Sequence, residues 1–269
     1  MLNVTLFGAA SFSVDGAVVK SDFGPAGRLL ACYLFAFPGR VQRRERLADL
    51  FWRDIDPAKA RSALNTAIWR IRKILDYGHT GAARHLVTVG DDLILEPSGD
   101  FQADTYKFAT ASRLFLSRNA RSPLTASETG ELCAAVDVYS GPFLEDHDDD
   151  WVLQERERLH CLFVRSSVEL MRVAVAQRDY EQALTFGRRI LATDPLREGI
   201  QREMMLLLTL NGQRGEAIRA YEHLLDLLRT DLDIDPMPET QRLYGEVVTG
   251  EIFNHLDDHI FSEFHVRRT

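Results

Sequence analysis

Between Pro57 and Leu75, PAKARSALNTAIWRIRKIL, apolar residues recur with a helical period. With Leu64 at 0° and about 100° per residue, Ala60, Leu64, Ile68, Ile71 and Leu75 fall on one stripe. Lys59, Ser62, Thr66, Trp69, Arg70 and Lys73 fall opposite, with Asn65 and Arg72 on the flank. Asp56 before Pro57 supplies an N-cap followed by a proline at the first helical position, where its missing N–H costs nothing. A shorter apolar pattern at Leu47, Leu50 and Phe51 predicts a second helix over about Arg43 to Phe51. The short link Arg53-Asp54-Ile55-Asp56 sets the two helices at an angle, as in a helix-turn-helix. An apolar helix over Gly27 to Phe37 precedes them and stops at Pro38-Gly39.

β-patterns flank this group. Leu2 to Phe7 alternates as a half-buried strand does. Phe12 to Val14 and Val18 to Lys20, joined by Asp15-Gly16, predict a hairpin. His85 to Glu96, LVTV and LILE around Gly90-Asp91-Asp92, predicts another. Small sheet, three helices and closing hairpin together describe a winged helix over residues 1–98.

The rest of the chain is helical. Ala103 to Leu116, Glu128 to Tyr139 and Trp151 to Gln177 carry three- and four-residue apolar spacing, separated by Pro123, Gly141-Pro142 and the acidic run Asp146 to Asp150. A period then enters: Asp179-Tyr180-Glu181-Gln182-Ala183 is followed 34 residues later by Gln213-Arg214-Gly215-Glu216-Ala217. This is the tetratricopeptide period, with Ala183 and Ala217 at its small-residue position, Pro195 closing the first repeat and Tyr221 at the aromatic of the second. Gly187 replaces an aromatic of the pattern, and Arg229 stands where a second proline would be. The alternative is a plain helical bundle. The predicted fold class is therefore mainly α with small β. A winged helix (1–98) is followed by a tetratricopeptide-like all-α domain (101–250) and a C-terminal tail (251–269).

Charge is divided along the same line. Residues 1–98 hold 13 Lys and Arg against 10 Asp and Glu; the remainder hold 19 against 30. The net charge of −8 hides a basic half that carries the helix-turn-helix pattern. A length of 269 residues accommodates about two domains. The longest apolar run, Leu29 to Phe37, is nine residues, short of the roughly 20 that cross a bilayer. No secretory signal pattern opens the chain, so a cytoplasmic protein without membrane contact is expected. Cys32, Cys133 and Cys161, odd in number and set in apolar helical contexts, read as buried reduced thiols.

No HExxH, GxSxG, CxxC or dinucleotide-type glycine loop is present. Two clusters bear on metal binding: His147 with Asp146, Asp148, Asp149 and Asp150, and His255 with His259, Asp257, Asp258 and His265. The first reads as a solvated acidic loop and the second as surface histidines, so neither enzyme activity, metal nor cofactor is expected.

The segments RERLADLFW (44–52), ARSALNTAIWRIRKIL (60–75), VYSGPFLEDHDDDWV (138–152), DPLREGIQREMMLLLTLNGQRGEAIRAYEHL (194–224) and LDIDPMPETQRLY (232–244), in this order, resemble the Streptomyces antibiotic regulatory proteins. That family joins an OmpR-type winged helix to a bacterial transcriptional activator domain. The resemblance implies an activator that binds promoter direct repeats as side-by-side protomers, a homodimer on double-stranded DNA, and contacts RNA polymerase. It places the recognition helix on Arg61 to Lys73 and the wing on His85 to Glu96. Larger members add an ATPase module; nothing here matches GxxxxGK[ST], as in the short stand-alone form. The candidate DNA-binding residues are Arg44, Lys59, Arg61, Ser62, Asn65, Thr66, Trp69, Arg70, Lys73, Arg84 and Thr88. Arg pairs with guanine, Asn with adenine, and hydroxyls and Lys hold phosphates. Trp69 either meets a sugar or thymine methyl or packs beside a neighbouring element. The rival readings are an ordinary solvated helix face on a tetratricopeptide-type adaptor that does not bind DNA, and a repressor.

Overall fold

The computed structural model describes residues 1–19, 23–75, 85–97, 99, 101–117 and 124–264. It is mainly helical with two small sheets. The chain begins with β1 (Leu2–Thr5), β2 (Ser11–Val14), β3 (Ala17–Val18), α1 (Pro25–Ala36), β4 (Gln42–Arg43) and α2 (Arg44–Phe51). Then come α3 (Pro57–Leu75), β5 (Leu86–Val89), β6 (Asp92–Leu95), β7 (Phe101–Ala103), α4 (Asp104–Leu116), α5 (Ala126–Asp137) and α6 (Asp150–Ala176). The last are α7 (Tyr180–Thr193), α8 (Glu198–Leu210), α9 (Arg214–Leu232), α10 (Pro238–Thr249), a 3-10 turn Glu251–Asn254 and α11 (Leu256–Phe264). Two compact units result: Met1–Arg113 with Asp137–His160, and Leu114–Val136 with Cys161–Thr269.

In the first unit, β1 pairs antiparallel with β2 in the register Leu2↔Val14 and Val4↔Phe12, so all four buried side chains share one face. Asp15 (φ 49°) and Gly16 (φ 84°) make the tight turn that the Asp-Gly pair predicts. Two strands lie beyond the sequence reading: β7 joins β1 in parallel, and β4 extends the β5–β6 hairpin into a three-stranded sheet. The carboxylate of Asp104, just after β7, accepts backbone N–H bonds from Leu6 and Phe7 at 2.9–3.0 Å and fastens the end of β1. Burial pushes the Asp104 pKa upward, opposed by these N–H groups.

The expected boundary at 98–101 lies inside this unit, because residues 137–160 pack on it too. Gly8 N–H donates to the Pro142 carbonyl (2.8 Å) and Leu144 N–H to that of Leu6 (2.9 Å). The Arg156 guanidinium closes the following loop on the carbonyls of Phe143, Leu144 and His147 at 2.6–2.9 Å. Trp151 sets its indole edge-on among Tyr33, Phe37, Phe51 and Phe143, with ring centroids 5.1–6.5 Å apart. The sequence reading had given this segment to the helical half.

The second unit is built on α7 to α10. Asp179 caps α7 through the Gln182 N–H (3.0 Å), and Ala183 and Ala217 are fully buried at the small-residue positions of the repeat. Gly187 has a local reason: a Cβ there would lie 2.2 Å from Met204 Sδ, so the methionine occupies the space an aromatic would fill. Within the segment expected as a C-terminal tail, residues 251–264 form the 3-10 turn and α11. Ile252, Leu256, Ile260 and Phe264 recur every four residues, Ile252 and Phe264 are buried, and Arg202 pairs with Glu263 at 2.9 Å.

Cys32 is buried and its thiol is pushed up to about 12 by desolvation. Cys133 is only half-buried and Cys161 is exposed, so the expectation of three buried thiols holds for Cys32 alone. The outward face of α6 is where Cys161 falls. Among the described residues no group of three or more His, Cys, Asp or Glu is placed to hold a metal ion, nor is any helix long and apolar enough to cross a membrane. His265 and the side chain of Asp257 lie outside the described residues.

Candidate nucleic-acid interface

Helix α3 starts and ends where its sequence pattern does. The Asp56 carboxylate accepts from the backbone N–H of Ala58 (2.9 Å) and Lys59 (3.2 Å), capping two groups that have no partner within the helix. Ala60, Leu64, Ile68, Ile71 and Leu75 are buried as the stripe predicts, joined by Ala67 and Ile74. Burying seven side chains along one edge leaves little freedom in which face is presented outward.

That outward face carries Lys59, Arg61, Ser62, Asn65, Thr66, Trp69 and Lys73, all exposed, with Arg70 half-buried at its margin. Trp69 is 54% exposed, a large apolar area to leave in water. The Lys73 ammonium sits 4.0 Å from its ring centroid, a cation–π contact that holds both side chains in one outward group. Arg44, half-buried at the start of α2, donates to the Asn65 carboxamide oxygen and steadies that amide with its N–H₂ unengaged by this bond. Thr66 spends its hydroxyl hydrogen on the Ser62 carbonyl (3.1 Å), which leaves its oxygen lone pairs outward.

Arg72 behaves differently from its flank position on the helical wheel. Its Nε and Nη2 donate to the Leu86 carbonyl at 3.3 and 3.0 Å, and Nη2 also reaches Thr88 Oγ1 at 2.9 Å. The guanidinium therefore bolts β5 to α3 and fixes the hairpin beside the polar face. Thr88 is exposed but shares its hydroxyl with this bolt. At the hairpin tip, Val89 is 64% exposed beside Gly90, whose φ of 60° lets the chain turn. The backbone N–H of Arg44 donates to the Asp91 carbonyl (2.9 Å), a second tie between the α2 start and the hairpin. Arg84 lies outside the described residues. The sequence reading missed Arg72 as a brace and Val89 as an exposed tip; an apolar residue next to a Gly-Asp turn was the available signal for the latter.

A family model described as the bacterial transcriptional activator domain matches residues 108–248. The transcriptional regulatory protein MoaR1 of Mycobacterium tuberculosis is 25% identical over 264 residues, 92% of this chain and 82% of that protein. The regulatory protein AfsR of Streptomyces coelicolor is 24% identical over 244 residues, 88% of this chain and 23% of AfsR. Among solved structures, Mycobacterium tuberculosis EmbR in complex with a low-affinity phosphopeptide superimposes with a TM-score of 0.73 at 19% identity. That match covers 97% of this chain and 69% of EmbR, and supports the fold alone. Both relatives are named as regulatory proteins. With more than half of its length in the matched model, the chain belongs to the bacterial transcriptional activator domain family, that of the Streptomyces antibiotic regulatory proteins, and is a transcriptional regulator.

Proposed function

We propose that this regulator binds double-stranded promoter DNA sequence-specifically and activates transcription through RNA polymerase. On this reading α1 to α3 with the β5–β6 hairpin act as an OmpR-type winged helix within residues 1–98. The helices between 101 and 250 act as a tetratricopeptide-like activator domain. The observation that carries the proposal is the exposed face of α3, where guanidinium, ammonium, amide and hydroxyl groups surround one exposed indole on a helix docked by seven buried side chains. A protein-binding adaptor gains nothing from that set, whereas the major groove offers each group a partner.

Arg61 and Arg70 supply forks for guanine, and Asn65 supplies an amide for adenine. Lys59, Lys73, Ser62, Thr66 and Arg44 stand where phosphates pass, and Trp69 offers apolar area to a sugar or thymine methyl. Thr88 and Arg84 carry the wing's share. One such unit touches few base pairs, so two protomers on direct repeats raise affinity through effective concentration. A protein with these partners works in the cytoplasm beside the chromosome.

Gel shift of the purified chain on its own upstream region, at low and moderate salt, tests the reading. A specific complex is expected, weakening with log[salt] by roughly 0.9 per phosphate neutralised. Equal affinity for a scrambled sequence would contradict it.

A further inference from the structure

A cavity of about 390 Å³ opens within the first unit, among α1, α2, the link to α3 and the first turn of α6. Small-molecule sites occupy roughly 300–1,000 Å³. Its lining is graded by depth. Tyr33 and Ala60 are buried and form the floor, Trp52 and Trp151 are half-buried in the walls, and Arg46, Asp49 and Arg53 are exposed at the rim. The aromatic part is held in place before anything binds. The Phe51 ring stands 6.2 Å from both Trp52 and Trp151, and Tyr33 meets Trp151 edge-on at 5.1 Å while its hydroxyl bonds Gln42 Oε1 (3.2 Å). The buried Trp151 Nε1–H has no hydrogen-bond partner among the described residues, an unmet donor on a residue that lines the wall. At the rim two guanidiniums face one carboxylate, and among the described residues no hydrogen bond or ion pair engages either of them.

We propose that this cavity is an effector site for a small planar aromatic carboxylate. The indoles in the walls take the flat ring system by stacking or edge contact. Arg46 and Arg53 close on the carboxylate, for which a guanidinium supplies two parallel donors, and Asp49 accepts a hydroxyl from the same ligand. Recessed rings under a charged rim suit a molecule that enters; a flat macromolecular surface would meet the charges and miss the indoles. Ile55 of the link and Pro57 and Ala60 of the first turn of α3 also line the cavity, so its filling bears on the start of that helix. The effector role rests on the reading of α3 as the DNA-reading helix, whereas the ligand assignment does not. A ligand shifts an equilibrium only by its differential affinity for the two states, and the effect on DNA is reciprocal.

The test titrates the full chain calorimetrically, without DNA, with 6-hydroxy-2-naphthoate as the probe and 2-naphthol as its counterpart lacking the carboxylate. Wild type should bind the probe saturably at a single site and 2-naphthol at least about tenfold more weakly, the scale of losing charge-assisted hydrogen bonds. Arg46→Gln with Arg53→Gln should lose about tenfold for the probe and little for 2-naphthol. Both arginines are exposed, so this variant keeps the fold even if Trp52→Leu, which should weaken both compounds, does not. No saturable binding by wild type overturns the proposal, as does equal probe affinity in the arginine variant. The upstream DNA fragment is then titrated with and without saturating probe, and its Kd should change about fivefold or more. Probe binding with unchanged DNA affinity overturns the effector role. A chain that binds the probe as expected but binds no DNA contradicts the DNA-reading helix and leaves the ligand assignment standing.

Discussion

Arg72 carries two jobs that are usually divided between residues. Its stem lies along the margin of α3, and its head holds β5 through the Leu86 carbonyl and Thr88. Removing it leaves the buried-side carbonyl of Leu86 to water and frees the hairpin to swing from the polar face. Arg72→Ala is expected to cost about 1.5–3 kcal/mol of stability, as charged hydrogen bonds do. It should also weaken DNA binding without moving the footprint, which urea unfolding and a DNA titration would read together. Arg72→Lys should restore little, because an ammonium lacks the fork that spans the two acceptors. An unchanged titration for Arg72→Ala would show that hairpin position is irrelevant to binding.

Glu203 on α8 illustrates how packing between helices sets pH response. Burial, with Glu263 adding to it and Arg172 and Arg202 opposing, raises its pKa from the ordinary 4.5 to about 7. Its Oε2 is buried without a hydrogen-bond partner. A raised folded-state pKa means that folding favours the protonated form, so this contribution is fully present below about pH 4.5 and is lost as pH rises through about 7. Melting of the wild type should rise between pH 8 and pH 6, and Glu203→Gln should flatten the change and add on the order of 2–3 kcal/mol at pH 8. A Glu203→Gln protein with the same pH slope as wild type would contradict this. At the α7–α8 approach, Gly187→Ala should cost about 1–3 kcal/mol, since its Cβ would meet Met204 Sδ at 2.2 Å, with Met204→Ala recovering part of it. Equal melting of Gly187→Ala and wild type would contradict the close approach.

Helices were legible in the sequence wherever burial is one-sided and long. Helix α3 runs over the predicted residues because a five-position stripe, an Asp cap and Pro57 agree on one register. Strands β4 and β7 were not legible, at two and three residues too short for alternation to show. Arg72 was misread as a solvent flank because its acceptors come from a strand 14 and 16 residues away, which no local pattern records. The exposed positions of the candidate interface were legible for the converse reason: they are whatever the apolar stripe leaves outside.

Considered over its whole length, the first unit is not a segment of the chain. Sheet order needs β7, the end of β1 needs Asp104, and the aromatic cluster under α1 and α2 needs Trp151. A fragment of residues 1–98 lacks all three. It is expected to melt broadly and well below a fragment of residues 1–160, and Trp151→Ala in the full chain should cost about 3 kcal/mol. Equal, cooperative melting of the two fragments would show that residues 101–160 are dispensable to the fold of the basic half.

The most direct test of α3 as the DNA-reading helix is a footprint titration of the upstream region with wild type, Arg70→Ala, Lys73→Ala and the double variant. Arg70→Ala should lose about 1–3 kcal/mol on the specific site. Lys73→Ala should weaken all sequences alike and lower the salt slope by roughly one. The double variant should leave no footprint at concentrations where wild type protects fully. A double variant that protects the same bases at the same concentration would place DNA recognition elsewhere on the molecule.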